Sequence, residues 1–477
     1  MLILFRMRRT SLFLCFFLLC STVSSNGWAE VFVPQSREQI RLSFAPLVKK
    51  VTPAVVNIYT QKKVQQRVSP FFNDPFFSQF FGGALAPGLT RERMEHALGS
   101  GVIVREDGLV VTSRHVIAGA DEIRVVLSDR REFDAEVVLT DDKADLAVLR
   151  LESTKGGNFP FLDLRDSDDA EIGDLVLAIG NPFGVGQTVT SGIISAVAHK
   201  AVGAGDLGYF IQTDAAINPG NSGGALVTMD GKLIGINAAI FSRDGGNMGI
   251  GFAVPSNMVR VLMGAAKQGK SRMMHPWMGL DGQEVSQDIA VSLGLNRPMG
   301  FLVKSAHPSS PAAKAGIKAG DVIVSVGGKT IEDPEAFRYR IAALSIGAKA
   351  ELEVVSRGKT RTVTLDLIAP PEDPSRRETV VKGRNPASGA TLANVSPAVV
   401  EELGLPSDPR EGVVVTEVKP GSVAARIGLV PGDIVAAVNG QEIVNVREAI
   451  NAFAAKPSHW KLTIRRGNHE ITMMLGG

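Results

Sequence analysis

Between residues 55 and 254, short runs of Val, Ile and Leu recur every 8–12 residues, parted by Gly, Asp and Asn. The clearest lie at 101–104, 109–112, 123–127, 146–151, 175–179 and 233–236. No helix-length periodic segment separates them, so the crossovers of a parallel sheet are missing and the pattern predicts an all-β barrel or sandwich. The period first changes at 256–267, where apolar residues fall at helical spacing behind Pro255 and a Ser cap. That helix is expected to close the domain.

One insertion interrupts the strands. Residues 61–96 carry Phe71, Phe72, Phe76, Phe77, Phe80 and Phe81 without strand or helix periodicity. Such a length suits a lid or a disordered segment, and so many aromatics need a surface to cover or a partner chain to enter.

Further along, the chain repeats itself. Gly300-Phe-Leu-Val303 matches Gly412-Val-Val-Val415, and 312–328 matches 424–440, with Gly320-Asp321 answering Gly432-Asp433, all at an offset of 112. Leu293-Gly-Leu295 pairs with Leu403-Gly-Leu405 at an offset of 110. Register kept inside strands and changed in loops marks duplicated modules of about 90 residues, with a period too long for a solenoid. The stretch from Pro370 to Thr379, rich in charge and Pro, reads as the linker between the copies.

Composition narrows the class. At 477 residues the chain has room for two to four domains, and 44% hydrophobic content is too high for disorder. Lys and Arg number 51 against 49 Asp and Glu, which leaves no basic field for nucleic acid. Cys15 and Cys20 lie in a segment with Arg6, Arg8 and Arg9, an apolar stretch at 12–19, and the small residues Gly27 and Ala29. This reads as a secretory signal peptide over 1–29, too short for a comfortable membrane span. A retained anchor or lipid attachment at Cys20 is the alternative, and for the latter Leu19 is larger than such sites usually tolerate. Cleavage after Ala29 would leave 48 basic and 49 acidic residues and no cysteine. Disulfides and thiolate metal sites are then excluded.

The sharpest local signal is Asn218-Pro-Gly220-Asn221-Ser222-Gly223-Gly224. A hydroxyl between glycines on a tight turn is presented free of neighbouring Cβ atoms. The amides of Gly220, Asn221 and Ser222 could converge on one point as an oxyanion hole. Serine needs an adjacent base. Of the seven histidines, His115 ends an apolar strand, which places its imidazole rigidly. Asp141 and Asp142 sit with Lys143 in a turn that reads as solvated, whereas Asp145 leads directly into Leu146-Ala-Val-Leu149. Asp145 is therefore the acid expected inside, holding the imidazole's tautomer. The order His115, Asp145, Ser222 is that of chymotrypsin-type proteases and not of α/β-hydrolases. No His-Glu-x-x-His and no pair of His at ligand spacing occurs, so no metal and no cofactor is expected.

Thr112-Ser-Arg-His115-Val, Asp145-Leu-Ala-Val-Leu, Gly220-Asn-Ser222-Gly-Gly, Gly249-Ile-Gly-Phe-Ala-Val-Pro255 and the doubled Gly-Asp modules resemble the HtrA (DegP, protease Do) family over essentially the whole mature chain. Arg114 departs from the Asn usual before the His. The resemblance implies a mainly β chain: a chymotrypsin-like double β-barrel protease domain over 30–270, then two PDZ domains, small α+β barrels, over 275–369 and 385–477, joined by a linker at 370–384. It implies an ATP-independent serine endopeptidase of the protease Do type in the bacterial periplasm, degrading misfolded exported proteins and acting as a chaperone. Ile217, Ile240 and Ile250 would line a shallow apolar specificity pocket for small aliphatic side chains. Met278, Gly279 and Leu280 would hold a peptide's C-terminal carboxylate in the first PDZ copy, with Ala390, Thr391 and Leu392 as counterparts in the second. Loops near 203–208 and 241–249 would switch the oxyanion hole. The Phe-rich insertion would reach a neighbour's active site, with homotrimers that build larger cages. Unfolded polypeptides and their C-termini are the implied partners, with no nucleic acid and no membrane insertion after signal cleavage. A non-catalytic PDZ scaffold with a vestigial triad is the competing expectation.

Overall fold

The computed structural model describes residues 43–67, 90–152, 158–181, 187–199, 208–218, 220–240, 249–269, 272–405, 412–467 and 469–476. The expected signal segment, the six phenylalanines and most of the two Gly-rich loops lie outside the described residues.

The β-rich part forms two closed barrels. The first contains β1 (Val55–Arg67), β2 (Thr90–Arg105), β3 (Leu109–Ser113), β4 (Glu122–Val126), β5 (Glu132–Asp141) and β6 (Leu146–Leu151), in the order β1-β2-β3-β6-β5-β4. The second contains β7 (Leu175–Gly180), β8 (Thr188–His199), β9 (Phe210–Thr213), β10 (Ala225–Thr228), β11 (Leu233–Ile240) and β12 (Gly251–Pro255), in the order β10-β11-β12-β9-β8-β7. All residues of β3 are buried, and the packing explains its unbroken apolar run. Val110 faces the first barrel's interior with Val56 and Leu149. Leu109 and Val111 face the opposite way, into a cluster with Leu177, Ile179 and Val227 of the second barrel. Each such side chain contributes about 1.5–3 kcal/mol on burial. A short helix, α1 (Arg114–Ile117), follows β3, and α2 (Ser256–Ala266) follows β12 as its periodicity predicts.

The flanks of the insertion differ from expectation. Residues 61–67 and 90–96 belong to strands, continuing the β1–β2 pairing out to Arg67 opposite Thr90. The ladder needs no core there, because antiparallel backbones satisfy one another directly, so hydrophobic periodicity gave no signal.

Each duplicated module is a sheet with short helices. The first has β13 (Leu280–Glu284), β14 (Phe301–Ala306), β15 (Val322–Val326), β16 (Lys329–Thr330), β17 (Lys349–Ser356) and β18 (Lys359–Asp366), with α3 (Pro311–Lys314) and α4 (Pro334–Ala342). The second has β19 (Thr379–Val380), β20 (Ala390–Asn394), β21 (Val413–Val418), β22 (Ile434–Val438), β23 (Gln441–Glu442), β24 (His459–Arg466) and β25 (His469–Gly476). Its helices are α5 (Pro397–Leu403), α6 (Val423–Arg426) and α7 (Val446–Phe453). The stretch expected as a linker is not free. Ala398 N donates to Pro371 O and Asn394 N to Arg376 O, and β19 joins the second module's sheet.

Candidate active site

Strand register brings His115 and Asp145 together. Ser113 at the end of β3 pairs with Leu146 at the start of β6, so the residues just beyond them meet. Asp145 adopts a left-handed backbone, φ 52°, which Asp tolerates better than most side chains. Its carbonyl accepts from Arg114 N at 3.0 Å. Its carboxylate accepts from His115 N through Oδ1 at 2.9 Å and lies 2.6 Å from His115 Nδ1 through Oδ2. An ionised carboxylate only accepts, so Nδ1 carries the proton and Nε2 is left as the acceptor. The imidazole is half exposed, open to a substrate.

Burial of the acids reverses the sequence expectation. Asp145 is half-buried, while Asp141 is 2% exposed. Asp141 Oδ1 accepts from Lys143 N and Ala144 N, and pairs with buried His275 Nε2 at 3.0 Å. It folds the turn that delivers Asp145, which is the service an Asp two or three residues ahead of unpaired amides performs. Asp142 pairs with both Arg114 and Arg272, and Lys143 Nζ reaches Glu401 Oε2 of α5 at 2.5 Å.

Ser222 sits on a turn that only glycine permits. Gly220 and Gly223 have φ of 99° and 82°. A Cβ on Gly223 would come within 2.2 Å of Ser100 O and 2.3 Å of Thr112 Oγ1, so the turn lies against the strand leading to His115. The Ser222 hydroxyl donates to Ala238 O at 3.2 Å, and no hydrogen bond joins it to His115 among the described residues. Of the three amides expected to form an oxyanion hole, Asn221 N is a correction. It donates to Asn218 O at 3.0 Å, inside the turn. No backbone bond among the described residues takes up the amides of Gly220 and Ser222.

Ser100 escaped the sequence reading. It is 0% exposed and holds the Ser222 turn at two points. Ser100 N donates to Ser222 O at 2.9 Å, and Ser100 Oγ donates to Gly220 O at 2.7 Å while accepting from Asn181 N at 2.9 Å. The only available signal was a polar residue between glycines ahead of an apolar strand, which is far from specific.

Of the expected pocket residues, the side chains of Ile217 and Ile250 are described. Ile217 is buried in the second barrel's core and packs on Gly251, and Ile250 is half-buried against the cluster between the barrels. The side chain of Ile240 lies outside the described residues. Among the described residues no cluster of His, Cys, Asp and Glu could hold a metal ion.

Comparison with known proteins adds the family. Residues 99–236 match the trypsin-like peptidase domain model, and residues 246–367 and 414–466 each match a PDZ domain model. The periplasmic serine endoprotease DegP of Salmonella typhimurium is 39% identical over 461 residues, covering 91% of each chain. That of Escherichia coli K12 is 39% identical, covering 91% of this chain and 92% of the relative. The chain belongs to the HtrA family. Among solved structures, the HtrA-type protease AlgW with a decapeptide aligns with a TM-score of 0.52 and 41% identity, covering 69% of this chain and 99% of AlgW. AlgW with a tripeptide aligns equally well at 39% identity.

The HtrA architecture locates the peptide-binding candidates. Met278 is buried, and Leu280 opens β13. Gly279, φ 65°, accepts at its carbonyl from His307 N at 2.7 Å, and a Cβ there would lie 2.4 Å from Ser310 Cβ. In the second copy Gly389 O accepts from Lys419 N, and a Cβ on Gly389 would meet Ser422 Cβ at 2.3 Å. The counterpart loop is therefore Ser388-Gly389-Ala390, two residues before the expected Ala390-Thr391-Leu392. The repeat offset changes from 112 to 110 ahead of this point, and the expectation used the wrong one.

Proposed function

We propose that this HtrA-family serine endoprotease cleaves with Ser222 as nucleophile, His115 as general base and Asp145 as the group that orients the imidazole. The observation that carries the reading is the His115–Asp145 pair at 2.6 Å, which leaves Nε2 as an acceptor, together with the packing of the Gly-bounded Ser222 turn on Thr112 and Ser113 of the strand that leads to His115. To reach His115, the Ser222 hydroxyl would have to leave Ala238 O. Ser222 Oγ would then attack the scissile carbonyl as His115 takes its proton, and His115 would return that proton to the leaving amine. The Gly220 and Ser222 amides would stabilise the oxyanion, a contribution of about 2.7–4 kcal/mol for each strong donor.

The same reading places signal cleavage near Ala29 and the mature enzyme in the periplasm. It divides the chain into a protease domain over 30–270 with a regulatory loop at 61–96, a first PDZ domain over 275–369 and a second ending at 477. Misfolded exported proteins would be the substrates, cut after small aliphatic residues at a pocket lined by Ile217, Ile240 and Ile250, with C-termini caught at Met278, Gly279 and Leu280. Peptide binding and assembly into trimers and larger cages would regulate it, and chaperone activity would accompany it, as in the protease Do type.

Fluorophosphonate labelling tests the nucleophile. Wild type should label at Ser222 and digest casein, and Ser222→Ala should lose labelling and up to about 10⁶-fold in kcat. An unlabelled wild type that spares casein overturns the reading. Ser100 is a positioning residue within it. Ser100→Ala removes a buried donor worth about 1–3 kcal/mol, so kcat should fall roughly 5- to 150-fold with KM unchanged. A loss of thermal stability with kcat intact would leave Ser100 a purely structural role.

A further inference from the structure

The two PDZ modules treat the free edge of their first long strand differently. In the first, among the described residues, β13 pairs only with β14 and its other edge stays open. In the second, β20 pairs with β21 on the corresponding side and with β19 on the other. The chain leading into β13 goes elsewhere, because Met273 N bonds Thr140 O of the protease domain and Trp277 N bonds Ile368 O.

A peptide that adds to a sheet edge gains affinity from main-chain bonds and specificity from side-chain pockets. Thr379, Val380 and Val381 meet both conditions. They run antiparallel to β20, with Thr379 opposite Leu392 and Val380 opposite Thr391. Val381 N donates to Ala390 O at 2.8 Å, and Gly389 N donates to Val381 O at 3.0 Å. Gly389 is the counterpart of Gly279, so the loop amide placed to receive a peptide's terminus is bonded to a carbonyl of the same chain. The Val381 side chain is 2% exposed and shares a buried cluster with Leu392 of β20 and with Ala449 and Phe453 of α7, the strand and helix that bound the groove. Upstream, Asn394 N bonds Arg376 O at 2.7 Å and Arg376 pairs with Glu402 at 2.9 Å, which ties the strap along its length.

We infer that the groove of the second PDZ module is a peptide site whose resident ligand is the chain's own Thr379-Val380-Val381. An extended peptide ending in a β-branched apolar residue enters when the strap lets go. A tethered ligand acts at an effective concentration of the order of millimolar. If the groove is open 1% of the time, an outside peptide binds about 100-fold more weakly than its intrinsic affinity. The inference rests on the peptide-binding role proposed for these modules.

The probe is the hexapeptide Arg-Arg-Glu-Thr-Val-Val with a free carboxylate, the sequence of 376–381, titrated calorimetrically into the full chain carrying Ser222→Ala. A second protein adds Thr379→Gly, Val380→Ser and Val381→Gly. The strap-replaced chain should bind one more peptide per chain than its parent, with the new site at least ~10-fold tighter than any second site of the parent. Equal stoichiometry and affinity in the two proteins overturns the inference, while binding at the first module alone leaves the proposed role of that module standing. Should strap replacement unfold the second module, millimolar hexapeptide should restore its melting transition. Failure of that rescue equally overturns the proposal.

Discussion

Copies of one module face their surroundings through different residues here. The helices α4 and α7 share a register, and their caps correspond: Asp333 accepts from Ala336 N and Asn445 from Glu448 N. On α4, Phe337 and Ile341 fill the module's own core, while Ala336, Tyr339 and Ala342 join the cluster between the two barrels. Tyr339 is 1% exposed and stacks on Tyr209 at 3.8 Å, its hydroxyl 3.4 Å from Ser167 Oγ, and Arg340 pairs with Asp168. Burial pushes both tyrosine hydroxyls above their ordinary pKa, so neither introduces charge into the contact. At the corresponding positions of α7 stand Asn451, which is exposed, and Ala452. Among the described residues, one copy is seated on the protease domain through this helix and keeps an open strand edge, whereas the other closes its own edge. Tyr339 and Arg340 seat the first copy on the barrels, while the second meets the protease domain through the Lys143–Glu401 pair.

The largest test of that contrast removes the aromatic seat. Tyr339→Ala deletes a fully buried aromatic side chain, which should cost about 3–5 kcal/mol and uncouple the first module's melting from that of the barrels. Asn451→Ala should change stability by no more than about 0.5 kcal/mol. Calorimetric scans of both variants decide the matter, and similar small effects from the pair would erase the contrast.

The charged contacts give a smaller version. Arg340→Ala leaves Asp168 without its partner in a mostly buried setting, where the loss should reach about 1–3 kcal/mol. Glu401→Ala removes the second copy's contact with Lys143, a partly exposed pair worth about 0–1 kcal/mol that salt should screen. Chemical denaturation at low and high salt separates the two. An Arg340 variant no weaker than the Glu401 variant would show that the first copy's seat is aromatic alone.

How far the sequence disclosed this depends on the range of each interaction. Strands, the helix at 256–266 and the duplication were readable because period and register are local properties. The Gly-Asn-Ser-Gly-Gly turn was readable because its glycines are required by backbone angles and by the approach of Ser100 and Thr112. Asp141 and Asp145 could not be ranked by burial, since what covers Asp141 is His275, 134 residues away. The strap was hidden for a related reason. Its charge and proline content suit a linker, and only the bonds to Ala390, Gly389 and Asn394 show that it is a strand. The wide β1–β2 arm lacked any apolar pattern to betray it. Local chemistry was legible, and partners distant along the chain were not.

The smallest test concerns acid, and it probes the surface that receives the first copy. Asp166 caps the turn of Ser167, Asp168 and Asp169, which supplies the partners of Tyr339 and Arg340. The Asn257 side-chain amide, and then the Asp168 N–H, hold its carboxyl below the ordinary value of about 3.9. A depressed folded-state pKa means that this stabilisation is fully present above the unfolded value and lost as pH falls through the folded one. Asp166 is exposed, so the effect should stay below about 1 kcal/mol. Between pH 5 and pH 3 the seat of the first copy should therefore loosen slightly, while the β19–β20 ladder, made of backbone bonds, keeps its hydrogen-exchange protection once intrinsic rates are corrected. Asp166→Asn retains a capping side chain and removes the titration, so its protection around Ser167 should change less with pH than that of wild type. Identical acid profiles for the two proteins would mean that Asp166 takes no part in holding the first copy down.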